Sequence, residues 1–262
     1  MKTTYRTTHI YKPRSRAERA LTLAVLTALL SGAPAAPAMA EAKNVTIEEG
    51  TEVEASGTDH KACLTYDANA KETDENKTNS TSGNTLIILG KVIRSGGYQL
   101  AAAAAYSGGA DDLSENHVII QGGMVNNNAW VYGGRSEKGS VTKNTVTISG
   151  GTVNNIVYGG YSWYGSATGN SVIISSGTVK GDVSGGTVVM DIFRDSSDKG
   201  SATSNVIKIS GGTITGNVVG GASPKIATDN KIIPAKGAAA ANLQKATLMG
   251  FDEASTHSGN TL

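Results

Sequence analysis

Residues 144–153 read Asn-Thr-Val-Thr-Ile-Ser-Gly-Gly-Thr-Val, and this block sets the pattern for most of the chain. Asn144 is followed by apolar residues two and four positions later, then by a glycine pair, and then by Val153. Apolar residues at alternate positions indicate a half-buried β-strand, because successive side chains leave opposite faces. The glycine pair predicts a sharp corner, since glycine readily adopts positive φ. The block therefore predicts a strand, a corner and a second short strand.

The block recurs at irregular intervals of 26 to 35 residues. Its best copies begin at Asn84, Asn116, Asn144, Asn170 and Asn205. A Val-x-Gly-Gly block follows four of them, at residues 131–134, 157–160, 183–186 and 218–221. A Gly-Ser-x-Thr block closes three repeats, at residues 139–142, 165–168 and 200–203. Each period is therefore expected to hold two or three short strands and no helix.

A unit this short cannot bury its apolar face alone, whereas stacked units build a continuous core. The repeat therefore predicts an all-β fold, a right-handed parallel β-helix (solenoid) of about five to six irregular rungs. The asparagine that opens each block is expected to stack on the next one as a structural ladder at one corner. A β-propeller fits less well, because its blades need about 40–50 residues. A β-sandwich would not repeat its own sequence.

Residues 1–40 have the order of a secretory signal peptide: a basic segment, an apolar run at residues 20–30, and small residues ending in Ala38-Met39-Ala40. We expect Ala38 and Ala40 to direct cleavage, so that the mature chain begins at Glu41. The alternative, a membrane anchor, requires about 20 apolar residues. The pattern divides the chain into a signal peptide (1–40), a loose polar segment or degraded rung (41–83), β-helix repeats (84–233), and an Ala-rich linker with the start of a further, truncated rung (234–262).

The composition and charge of the chain argue against some classes of function. Glycine accounts for 33 of 262 residues and aromatics for only 5%, a balance typical of short strands joined by tight turns. Residues 1–40 carry six basic residues and one acidic residue, so the remainder has a net charge of −4. This acidic body gives no support for nucleic-acid binding. Cys63 is the only cysteine, so neither an intramolecular disulfide nor a cysteine-based zinc site is expected.

The sequence predicts no catalytic residue, no metal site and no cofactor. Residues 181–186, Gly-Asp-Val-Ser-Gly-Gly, resemble the nucleophile segment of a trypsin-like protease, but Val183 breaks that motif and the segment is in register with the repeat. The histidines have no motif-spaced base or nucleophile beside them. The glycine pairs lead into further strand, whereas phosphate-binding loops lead into a helix.

The few aromatic residues cluster in the middle of the repeats. Tyr132 and Tyr158 occupy the same repeat position and are expected to stack. Flat aromatic side chains on one side of a rod either pack on a sugar or partner protein, or cover the rod's own corners. The candidate contact residues, including two from an insertion at residues 187–198, are Trp130, Tyr132, Tyr158, Tyr161, Trp163, Tyr164, Met190 and Phe193.

The Ile-Ser-Gly-Gly-Thr-Val and Val-Tyr-Gly-Gly blocks, placed after an extended signal peptide, resemble the passenger domains of type V secretion autotransporters. The resemblance covers about residues 84–221. It implies a β-helical stalk and a C-terminal outer-membrane barrel that translocates the stalk. No barrel pattern is visible in this chain, and residues 258–262 repeat the letters of residues 82–86, the opening of a rung. We therefore expect a passenger that is truncated before its barrel.

The expected function is that of an exported bacterial surface passenger, a stalk or adhesin-like domain that presents a binding surface and catalyses nothing. The expected partner is an unidentified protein or glycan on a host or bacterial surface, with the outer-membrane translocator barrel missing from this chain. The chain is expected to cross the inner membrane and to reach the cell surface if a barrel is present, and otherwise to stay in the periplasm. The alternatives are a secreted β-helix that acts on polysaccharide and a non-functional fragment of a longer autotransporter gene.

Overall fold

The computed structural model describes residues 40–54, 62–71, 73–74, 77–93, 102–126, 129–189, 200–234 and 258–262. The chain divides into two units, residues 1–40 and 41–262, and every element below belongs to the second. The described residues form strands, turns and bends, without a helix. This described part accordingly holds no apolar helix of membrane-spanning length.

The strands follow one another around successive rungs. The first rung contains β1 (Asn44–Ile47), β2 (Glu52–Glu54) and β3 (Cys63–Tyr66), and β4 (Lys77–Thr78) pairs with β3. The second rung contains β5 (Thr85–Ile88), β6 (Lys91–Ile93), β7 (Ala102–Ser107) and β8 (Leu113–Ser114). The third rung contains β9 (His117–Ile120), β10 (Met124–Val125), β11 (Val131–Ser136) and β12 (Val141–Thr142).

The remaining rungs repeat this order. The fourth rung contains β13 (Thr145–Ile148), β14 (Thr152–Val153), β15 (Val157–Ser162) and β16 (Ala167–Thr168). The fifth rung contains β17 (Ser171–Ile174), β18 (Thr178–Val179), β19 (Val183–Val188) and β20 (Ser201–Thr203). The sixth rung contains β21 (Val206–Ile209), β22 (Thr213–Ile214), β23 (Val218–Val219) and β24 (Ile226–Thr228), and β25 (Lys231–Pro234) opens a seventh.

Equivalent strands of successive rungs pair in parallel and build four sheets. The first sheet runs β1-β5-β9-β13-β17-β21-β25 and the second β2-β6-β10-β14-β18-β22. The third runs β23-β19-β15-β11-β7-β3-β4 and the fourth β24-β20-β16-β12-β8. This arrangement is a parallel β-helix, so the predicted fold class is confirmed.

The core follows directly from the alternating pattern. In β13 the side chains of Val146 and Ile148 are fully buried, whereas the alternating Thr145 and Thr147 are partly exposed. Because the strands are in register, Val146 lies beside Val118 on one side and Val172 on the other. Burying one such side chain stabilises a fold by about 1.5–3 kcal/mol. Repeated over the rungs, these aliphatic columns form the main core cluster.

The predicted asparagine ladder is confirmed and is longer than expected. In each pair the side-chain Nδ2 and the backbone N–H of one asparagine both donate to the Oδ1 of the next. The Nδ2–Oδ1 distances range from 2.8 to 3.1 Å. A second Nδ2 hydrogen bond reaches a backbone carbonyl, such as Val141 O from Asn170 at 3.0 Å. The ladder runs through Asn84, Asn116, Asn144, Asn170, Asn205, Asn230 and Asn260.

The ladder explains the second glycine of the Val-x-Gly-Gly block. A Cβ built on Gly160 would lie 2.4 Å from Cγ of Asn170, and one on Gly186 would lie 2.4 Å from Oδ1 of Asn205. Real Cβ atoms do not approach other atoms this closely, so only glycine leaves room for the asparagine side chain. The Val-x-Gly-Gly block and the block that opens with asparagine therefore supply the two sides of one packing contact.

A column of left-handed residues precedes the ladder. The second glycine of the Gly-Gly corner has positive φ, as expected, for example 70° at Gly151. The sequence did not reveal that the residue before each ladder asparagine also has positive φ. That column consists of Gly83, Glu115, Lys143, Gly169, Ser204, Asp229 and Gly259, with φ between 54° and 73°. Four of these residues are not glycine, so they hold a conformation that costs about 1–2 kcal/mol each.

The structure differs from the sequence interpretation in the number of strands per rung. The complete rungs contain four strands where two or three were expected, since residues 141–142 and their equivalents form the fourth sheet. Within residues 41–83, β3 pairs in parallel with β7. At the other end, Thr261 pairs with Lys231, and Asn260 joins the ladder. Residues 258–262 therefore stack as the opening of a rung, as their identity with residues 82–86 predicted.

We predict that Asn170→Ala destabilises the protein by about 3 kcal/mol or more. The substitution removes a hydrogen-bond partner from three buried groups: the backbone N–H of Asn144, one of the two N–H groups of its Nδ2, and the carbonyl of Val141. Each such group costs about 1–3 kcal/mol. Urea unfolding followed by circular dichroism measures the change. The exposed Asn217 provides the control, and equal losses for Asn170→Ala and Asn217→Ala would contradict a stabilising ladder.

We predict opposite effects for two substitutions in the left-handed column. Ser204→Gly should stabilise the protein by roughly 0.5–1 kcal/mol, because glycine tolerates the φ of 55° found there. Gly169→Ala should destabilise it by about 1 kcal/mol through backbone strain alone, since the nearest side-chain atom to the new Cβ is Cγ of Lys143 at 3.7 Å. Thermal melts of both variants provide the test, and a change of the same sign in both would contradict it.

Candidate binding site on the third sheet

The third sheet carries a cluster of aromatic side chains on its outer face. Val131 and Val157 point into the core, and the residues that follow them, Tyr132 and Tyr158, point outward and pair in register. Arg135 pairs with Tyr106 of the preceding rung and with Tyr161 of the following rung. The parallel register therefore builds two adjacent outer columns, a Tyr–Tyr column and a Tyr–Arg–Tyr column. Together with Trp130 and Trp163 these residues form what we call the aromatic patch.

The rings of the aromatic patch are in contact with one another. The rings of Tyr132 and Tyr158 stack with 5.3 Å between centroids and 7° between planes, which confirms the predicted stack. The Tyr161 ring meets both of them edge-on, at 5.5 and 5.1 Å. Trp130 lies 6.1 Å from Tyr158, and Trp163 lies 6.2 Å from Tyr161. Such offset and edge-on pairs each contribute about 0.5–1.5 kcal/mol beyond their burial.

Arg135 lies among the tyrosines and is only 3% exposed. Its guanidinium carbon is 5.4 Å from the ring centroids of Tyr106 and Tyr132 and 5.6 Å from that of Tyr161. These are cation–π distances, at which the negative ring faces attract the charge. Its Nη2 also donates to the Glu137 carboxylate at 3.1 Å. The charge of Arg135 is therefore offset within the protein.

Burial separates an inner from an outer set of rings. Tyr132 and Tyr161 are 0% and 5% exposed, so they form the inner set. Trp130, Tyr158 and Trp163 are only partly buried and pack against them. Burial raises the pKa of the Tyr132, Tyr158 and Tyr161 phenols above the usual value. The phenols are therefore neutral at physiological pH.

Five of the eight candidate residues from the sequence come together in the aromatic patch: Trp130, Tyr132, Tyr158, Tyr161 and Trp163. Tyr164 is half-buried and takes no part in the ring contacts above. Met190 and Phe193 lie outside the described residues.

Sequence reasoning missed Tyr106 and Arg135. The register of Arg135 could have been read from the sequence, because Arg135 follows a glycine pair as Tyr161 does. The second rung has alanines in place of the glycine pair, and this difference concealed the equivalence of Tyr106.

Three polar side chains outside the aromatic patch, including Ser184 of the protease-like segment, have hydrogen-bond partners. Ser184 lies in β19, is nearly buried, and shares a hydrogen bond of 2.8 Å with the hydroxyl of Thr187. Asp111 accepts a hydrogen bond from Ser107, and Asp112 accepts one from the backbone N–H of Ser140. Within the ranges that the structure describes, no three His, Cys, Asp or Glu side chains come together as a metal site would require.

No known protein family, curated protein or solved structure matches this chain.

We predict that the tyrosines of the aromatic patch make the protein sensitive to alkaline pH. Their folded-state pKa values lie above the unfolded value of about 10, so the stability they contribute is complete below pH 10 and is lost as pH rises through the folded pKa. Each phenol accounts for up to about 1.4 kcal/mol per pH unit. Tyr132→Phe should therefore lose less stability between about pH 9 and pH 11 than the parent, measured by urea unfolding. Parallel pH profiles would contradict this.

Proposed function

We propose that this chain is an exported β-helical stalk of the autotransporter-passenger type, which presents a binding surface and performs no catalysis. The observation that carries the proposal is the uninterrupted stack of rungs with an aromatic patch on one outer face. Stacked rungs rise by about 4.8 Å each, and from the second rung onward the asparagine ladder ties each rung to the next. Such a rod holds surface side chains at fixed spacing, which suits presentation of a binding face.

The distribution of charge supports a binding role over hydrolysis. Enzymes that cleave polysaccharide use a pair of carboxyl groups about 5–10 Å apart, held on one face. Among the described strands the acidic residues are Glu52 and Glu54, both in β2. Glu52 is engaged in an exposed ion pair with Lys91 at 2.6 Å. The outer face of the first sheet instead carries residues such as Thr145, Thr147 and Ile173.

The N-terminal sequence supports export. The basic, apolar and small-residue segments follow the order of a signal peptide, and β1 begins at Asn44, three residues after the expected new N-terminus at Glu41. Removal of residues 1–40 would therefore leave every strand described above intact. The type V resemblance supports the further step to the cell surface, through a translocator barrel supplied by another segment or chain.

We predict that the full chain, expressed in a Gram-negative host, is recovered outside the cytoplasm with Glu41 as its N-terminal residue. Ala38→Lys should block cleavage, because the peptidase accepts only small residues at that position. Met39→Gln is the matched control and should be processed normally, since the residue between the two alanines is unrestricted. Cell fractionation with mass spectrometry of the intact chain is the measurement. Recovery of the uncleaved chain in the cytoplasm would contradict export.

A further inference from the structure

We propose that the outer rings of the aromatic patch bind a neutral saccharide, with the carboxylate of Asp182 accepting hydrogen bonds from its hydroxyl groups. This inference rests on the proposed function and names the ligand of its binding surface. Hexopyranoses have an apolar face of C–H groups and a rim of hydroxyls, so they suit the exposed face of an aromatic ring that has a hydrogen-bond acceptor nearby.

The aromatic surface is held in place by the fold. Trp130 and Tyr158 are partly exposed and their ring centroids are 6.1 Å apart. The buried ring of Tyr132 contacts both of them. The rings therefore lose little conformational freedom when a ligand packs on them, which lowers the entropic cost of binding.

Asp182 lies at the edge of this surface because of the rung register. It directly precedes Val183, as Trp130 directly precedes Val131, so the two residues occupy the same position two rungs apart. The backbone hydrogen bonds from Val131 to Ile156 and from Val157 to Asp182 establish this correspondence. The separation along the rod is therefore about 10 Å, enough for one or two pyranose rings. One carboxylate oxygen accepts the backbone N–H of Asn217 at 2.6 Å, and the second is the proposed acceptor for the ligand.

Charge favours a neutral ligand over an anionic one. Arg135 is buried and bonded to Glu137, so it does not present its charge at the surface. The neighbouring phenols are neutral, and Asp182 is an acid that would repel phosphate, sulfate or carboxylate groups. Hydroxyl groups, in contrast, donate well to a carboxylate.

The chain itself supplies the probe for this site. It contains two tryptophans, Trp130 and Trp163, and both belong to the aromatic patch, so tryptophan emission of the full chain reports on this surface alone. Titration with cellohexaose, maltohexaose, laminarihexaose and mannohexaose should give a saturable change for at least one of them, with half-saturation at roughly 0.1–1 mM. A heparin hexasaccharide, which is anionic, should give none.

Two matched variants test the role of Asp182. Asp182→Asn should weaken binding by roughly tenfold, because it exchanges a charge-assisted hydrogen bond for a neutral one. Asp112→Asn is the control, since Asp112 also accepts a backbone N–H across one rung, at 2.7 Å, but lies at the start of the fourth sheet. It should bind as the parent does. Circular dichroism and melting temperature confirm that both variants are folded.

Four results would overturn the inference: no saturable response to any neutral hexasaccharide up to about 10 mM, an equal response to the heparin fragment, unchanged binding by Asp182→Asn, or an emission change with protein concentration alone. The last result would show that the aromatic patch joins copies of this chain. None of these measurements depends on export or processing. The fractionation experiment therefore tests the proposed stalk function separately.

Discussion

The buried asparagine amide is the constraint on which the rest of this structure depends. From Asn84 to Asn230 these amides lie in the interior, where an unsatisfied donor or acceptor costs about 1–3 kcal/mol. Within the stack each amide is satisfied by an equivalent asparagine one rung above and another one rung below, as Asn170 is by Asn144 and Asn205. A slip of one residue in the strand register would break these hydrogen bonds and turn the aliphatic side chains outward. The ladder therefore fixes the register of all four sheets, although it occupies only one corner.

The aromatic patch is a consequence of the same register. Parallel pairing places identical repeat positions side by side, so the two tyrosines after Val131 and Val157 stack because the repeat puts them there. The same rule places Arg135 between Tyr106 and Tyr161. An arginine at an outer position would normally extend into solvent, but here rings from both neighbouring rungs enclose it. A variable position of the repeat can thus become a rigid surface feature without any change in the backbone.

An element of the fold was predictable from the sequence when several of its positions followed the repeat pattern. Five asparagines were found because apolar alternation and at least one glycine at the following corner mark them. Asn230 was missed because Lys231, Ile232 and Ile233 are followed by proline and not by glycine, although its side chain continues the ladder. The fourth strand of each rung was not predicted, because two residues are too few to show alternation of apolar and polar residues. The aromatic cluster was predicted, but its enclosed arginine was not, because burial of a guanidinium depends on neighbours that only the register brings together.

The ladder also has a direction, and this makes its two ends chemically different. In each of the six ladder pairs the asparagine of the N-terminal rung donates and the Oδ1 of the C-terminal one accepts. At the N-terminal end, Oδ1 of Asn84 needs only donors, and the backbone N–H of Lys43 and the hydroxyl of Thr78 supply them at 2.9 and 2.7 Å. No asparagine is needed there, because any residue with a backbone N–H can serve. At the C-terminal end, the backbone N–H and the Nδ2 of the last asparagine both need an acceptor from the next rung. A side-chain amide oxygen at the equivalent corner of that rung can accept both hydrogen bonds. The repeat can therefore begin with a degenerate rung, whereas each rung added after it has to open with asparagine or a close substitute.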